Sequence, residues 1–128
     1  MSAALFIVIE NENPDFSVSV NGKALSKAVP ELGNIAAALG VKSLMEFYGA
    51  DDSEMAGELD VSNPKRFKAK WFKASEGLNS VRALLDYVER HPQSVARVSA
   101  VVGDLKEFER VLSEAERRKL RWHLEVDY

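Results

Sequence analysis

From Leu120 to Tyr128 the chain alternates without a slip. Leu120, Trp122, Leu124, Val126 and Tyr128 are apolar or aromatic, and Arg121, His123, Glu125 and Asp127 stand between them. Successive side chains of a strand point to opposite faces, so this pattern predicts a strand with one face on a core and four ionisable groups in a row on the other. It is the strongest local constraint in the sequence.

A chain of 128 residues with 46% hydrophobic content can bury roughly two-thirds of its unfolded surface. One core then suffices without a metal or a disulfide, and residues 1–128 are read as a single globular domain. Charged residues make up 29% and the net charge is -3, a weak acidity that argues against general nucleic-acid affinity. Cysteine is absent, which excludes a disulfide framework, thiolate catalysis and cysteine-based zinc sites and suits a cytoplasmic protein. The apolar run Ala3–Ile9 has no basic residue before it and no small-residue cleavage site after it. At seven residues it is too short to span a bilayer, so the sequence predicts a cytoplasmic protein with no membrane association.

Leu5–Glu10 is apolar on both alternate sets, which predicts a strand placed centrally in the sheet. Phe16, Val18 and Val20 alternate with Ser17 and Ser19, predicting a second short strand before the Asn21-Gly22 turn signal. Glu31–Leu39 carries a helical stripe of Leu32, Ile35, Ala36 and Leu39, with Pro30 near its start and Gly40 past its end. Ser43 and Glu46 form a capping-box pair for a short helix bearing Leu44, Phe47 and Tyr48. Asp51–Asp60 reads as an acidic loop, in which Met55 and Leu59 allow one amphipathic turn.

Beyond Pro64, the alternation of Phe67, Ala69 and Trp71 with Arg66, Lys68 and Lys70 favours a strand with its rings on the core side. The spacing of Phe67 and Trp71 also permits a helical turn. A helix follows from about Glu76 to Arg90, with Leu78, Val81, Leu84, Leu85, Tyr87 and Val88 on its apolar stripe; His91-Pro92 ends it. Residues 94–102 suit a helix through Val95, Val98 and Val102, and their β-branched content leaves a strand open. Asp104 and Glu107 resemble a capping box for a last helix running to about Lys119, whose terminal Arg117, Arg118 and Lys119 complement the helix dipole. The whole predicts an α+β fold. About four helices pack on one face of a small mixed or antiparallel sheet that includes both terminal strands.

Three clusters are candidates for function. The first is the stripe Arg121, His123, Glu125 and Asp127, predicted to be a partner- or ligand-binding row. Its competitor is an ordinary solvated strand face, the commoner fate of surface charges. His123-Leu-Glu125 matches the H-x-E of zinc deaminases, but their P-C-x-x-C partner cannot exist in a chain without cysteine. The second is the basic and aromatic run from Lys65 to Lys73, where Arg66, Lys68 and Lys70 would hold nucleic-acid phosphates. An edge strand guarded by lysines is the simpler reading. The third, Arg117 to Arg121, sits at a helix end that offers carbonyls, the wrong polarity for anions. The acidic run lacks the spacing of a calcium loop, and none of the G-x-S-x-G, P-loop, G-x-G-x-x-G or H-E-x-x-H motifs occurs. No metal site and no cofactor are expected. The sequence therefore points first to a non-enzymatic interaction module with a protein partner, a small adaptor, regulator or toxin-neutralising protein. Its second reading is a small-molecule binder or enzyme using Arg121, His123 and Glu125, and its third is a nucleic-acid binder.

Overall fold

The alternating C-terminal segment forms the middle of the sheet. The computed structural model describes residues 3–11, 13–49 and 70–127. Among these, β1 (Ala4–Ile9), β2 (Phe72–Lys73) and β3 (Arg121–Asp127) pair in the order β1-β3-β2. Both pairings are antiparallel. Ala4 lies opposite Asp127 and Ile9 opposite Trp122 on one side of β3, and Phe72 lies opposite Trp122 on the other. Tyr48 adds a parallel bridge to Leu124. The expectation of a central β1 is thus corrected, because β1 is an edge strand. Its second apolar set, Ala4, Phe6 and Val8, is only half-buried, so its unbroken apolar run reflects one packed face and one partly covered face.

Four α-helices occur among the described residues: α1 (Lys23–Lys27), α2 (Val29–Leu39), α3 (Ala74–Arg90) and α4 (Val98–Arg117). They cover the sheet face that carries Leu5, Ile7, Ile9, Trp122 and Leu124, all of them buried. The architecture is α+β, with both terminal strands in the sheet. Several local signals act as the sequence predicts. Gly40 takes the left-handed conformation that ends α2, at φ 74°, and the Ser43 N–H donates to Glu46 Oε2 at 2.8 Å. That capping box opens a 3-10 turn over Leu44–Phe47. α3 stops at Arg90, ahead of His91-Pro92.

Other expectations fail for identifiable reasons. Phe16–Val20 alternates between half-buried and exposed residues but joins no ladder, so it is not a strand. α1 follows it with no anticipating signal. The helix expected to start at Asp104 begins six residues earlier, at Val98, so residues 94–102 run from the end of a 3-10 turn at Ser94 through a short link into this helix. Asp104 does cap a helix, but a distant one. Its Oδ2 accepts from the N–H groups of Ala24 at 3.1 Å and Leu25 at 3.2 Å, the start of α1. The side chain is 7% exposed, and burial pushes its pKa up while those two hydrogen bonds pull it down. No helix among the described residues is long and apolar enough to cross a membrane.

Candidate functional site

The face of the sheet opposite the helices carries the candidate row. Register places Val8 beside His123, Phe6 beside Glu125 and Ala4 beside Asp127. On the other side of β3, Trp71 lies against His123, with ring centroids 4.5 Å apart and a 44° tilt. Phe6, Val8 and Trp71 are half-buried and frame the pair. The strand is held from behind by Trp122, which is fully buried. Its Nε1–H donates to the Lys73 carbonyl at 3.3 Å, and its ring lies 5.1 Å from that of Phe47.

The four row residues have different environments. Arg121 is exposed and forms a two-pronged pair with Glu10, Nε to Oε1 at 2.7 Å and Nη2 to Oε2 at 2.5 Å. Asp127 is exposed. Glu125 is partly covered, with its side chain 30% exposed, and its Oε2 lies 2.6 Å from His123 Nε2. His123, expected on the solvated face, is only 2% exposed. The correction has a clear cause. β3 has neighbours on both sides, so its outer face is walled by Trp71 on one side and Val8 on the other. The backbone of Gly49 also presses on the ring so closely that a Cβ there would come within 2.8 Å of His123 Cβ and 2.4 Å of the Lys70 carbonyl.

His123 has one hydrogen-bond partner, Glu125, which it meets through Nε2. Nδ1 is buried and has no hydrogen-bond partner among the described residues. No group of three metal-ligating side chains gathers among the described residues. His91 is engaged elsewhere, its Nδ1 donating to the Tyr87 carbonyl at 3.1 Å and its ring stacked on Tyr87. An open groove of about 610 Å³ adjoins the face, lined mostly by apolar side chains that include Val8, Pro14, Val18 and Trp71. His123 is not among its lining residues.

The basic run is only partly described. Arg66 and Lys68 lie outside the described residues, as does the acidic stretch Asp51–Asp60. Lys70 is exposed, and its N–H donates to the Gly49 carbonyl at 3.0 Å. The expected core-side placement of Trp71 is corrected, and Phe67 lies outside the described residues. Phe72 faces the core and meets Phe47 edge-on at 5.4 Å, while Trp71 takes the outer face. Register with β3 sets this, since Phe72 opposes the buried Trp122. At the end of α4, Glu114 pairs with Arg118 as its spacing suggests, and Arg118 also reaches Asp15 at 2.6 Å.

Sequence reasoning took Gly49 only as the stop of the short helix, missing its approach to His123, and gave Gly77 no role. A Cβ on Gly77 would meet the Trp122 ring at 2.4 Å, so this glycine lets α3 approach the central strand. Its signal was available, because a glycine inside a helical pattern often marks close packing. Comparison with protein-family models, curated proteins and solved structures finds no match to this chain.

Proposed function

We propose that this chain is a non-enzymatic protein-binding module, a small adaptor, regulator or toxin-neutralising protein whose partner docks on the outer face of the sheet. One observation carries the reading: half-buried Phe6, Val8 and Trp71 surround a firmly held strand, and at its rim Arg121 is paired with Glu10 and Glu125 with His123, while Asp127 stays exposed. An apolar centre with a balanced polar rim is the anatomy of a protein interface. Charge at such a rim tunes association rate more than affinity. The absence of cysteine supports placing the protein in the cytoplasm.

The His123–Glu125 pair favours a second reading, acid–base chemistry on a small molecule, since a carboxylate that orients a histidine is a recurrent catalytic pairing. Against it, the ring is buried and does not line the adjoining groove.

The test is affinity capture from the native cell extract, identification of the captured protein, and titration of the purified pair. Val8→Ser combined with Glu125→Gln is expected to weaken binding at least tenfold, about 1.4 kcal/mol. Arg82→Ala with Glu109→Ala, which removes a surface ion pair between α3 and α4, leaves it unchanged. Equal affinity of the outer-face variant and the parent would remove this reading, and turnover of a small molecule lost in Glu125→Gln would install the second.

A further inference from the structure

The free edge of β1 and the extended segment beside it are complementary. In an antiparallel ladder, alternate residues direct their N–H and C=O groups to opposite sides. Glu10 N–H donates to the Arg121 carbonyl at 2.9 Å, so the even residues of β1 face β3 and Leu5, Ile7 and Ile9 face away from it. One outward bond exists, from the Leu5 N–H to the Gly22 carbonyl at 3.1 Å. Continuing that register brings Val20 opposite Ile7 and Val18 opposite Ile9.

Side-chain direction agrees with this register from Ser17 to Val20. Opposed residues of neighbouring strands share a face. Ile7 and Ile9 are buried in the core and would meet half-buried Val20 and Val18, whereas Val8 on the outer face would meet exposed Ser19. The far edge of the segment is already secured. Arg110 on α4 donates from Nη1 to the Ser17 carbonyl at 3.1 Å and from Nη2 to the Ser19 carbonyl at 3.2 Å. Those are the carbonyls that would face away from β1.

Yet the seam is open. Among the described residues, the N–H groups of Ile7, Ile9, Val18 and Val20 have no backbone acceptor outside regular elements, and the Ile9 carbonyl is taken by the Asn11 N–H at 2.7 Å. The groove of about 610 Å³ begins at this seam, between Ile7–Asn11 and Pro14 and Val18, and reaches Trp71 across the outer face.

We propose that Phe16–Val20 is a strap that closes on β1 as a fourth strand, with Ile7 opposite Val20 and Ile9 opposite Val18. Closure forms four backbone hydrogen bonds, and the Ile9 carbonyl exchanges Asn11 for Val18. It also narrows the part of the groove between β1 and Val18. The strap shares Val8 and the groove with the outer face, but its register and its test need no partner on that face.

Disulfide trapping and amide exchange test it together. Val8 and Ser19 would form a non-hydrogen-bonded pair with Cα atoms about 4.5 Å apart, inside the range a disulfide bridges, and the chain has no cysteine to interfere. Val8→Cys with Ser19→Cys is expected to oxidise intramolecularly at least tenfold faster than the offset control Val8→Cys with Ser17→Cys. In the unaltered protein the amides of Val18 and Val20 should exchange at least tenfold more slowly than those of Ser17 and Ser19. Equal oxidation of the two pairs would overturn the register. Exchange of Val18 and Val20 as fast as their serine neighbours would overturn closure, whether or not the cysteine variants fold.

Discussion

At the scale of single residues, His123 shows where pattern reading stops. Alternation assigned it to the outer face correctly and its burial wrongly, because alternation carries no information about what lies across that face. Trp71, Val8 and the bare backbone of Gly49 close over the ring from segments distant in sequence, and only Gly49 left a sign, as a glycine. Burial changes the expected cost of mutation. A solvated histidine would be replaceable at almost no loss, whereas His123→Ser removes a packed ring and leaves a cavity beside Trp71. The expected destabilisation is about 2–4 kcal/mol, the range for large-to-small changes in a core, read as a lower urea midpoint at constant slope. Loss below about 0.5 kcal/mol would mean that the ring is not packed as described.

Among elements, the informative contact is the one between α4 and α1. A helix of five residues is too short to persist alone, and nearby Asn21 Oδ1 accepts only its first N–H, that of Lys23, at 3.2 Å. Asp104 on α4 takes the next two, so α1 is tied to a folded α4. Asp104→Ala should cost about 1–2 kcal/mol, the usual value of a lost cap, and amide exchange should show Ala24 and Leu25 opening. Asp104→Asn keeps an accepting oxygen and should cost less. The pH response has a definite sign. The folded pKa lies above the ordinary 3.8, so between the two values the folded state binds more protons. Asp104 therefore subtracts stability as pH rises from 3.8 through the raised value, and Asp104→Asn should flatten that part of the profile. The sequence showed the Asp104 and Glu107 spacing but not the partner, because a cap offered across 80 residues leaves no local trace. Boundaries set by chemistry near at hand, such as Gly40, the Ser43–Glu46 box and Pro92, were legible for the opposite reason.

For the whole molecule, β3 is the element on which the rest depends. It pairs with both other strands and presents fully buried Trp122 and Leu124 to the helices. Removing Leu124–Tyr128 takes away one fully buried side chain, worth roughly 1.5–3 kcal/mol, and most of the β1 pairing. Against a total stability of about 5–15 kcal/mol, the truncated chain should lose its cooperative melting transition; a transition at the parent temperature would contradict the described sheet. The α+β class was readable in advance because apolar period and turn residues specify it, while the order of the strands was not, since either apolar-rich segment could have been central. That order also has a temporal side. Ile9 finds its partner Trp122 only after more than a hundred further residues have been made. At about 5–20 residues per second of synthesis, β1 spends several seconds or more with its Leu-Phe-Ile-Val-Ile run unpaired. During that interval the β1 segment is where a chaperone would be expected to bind.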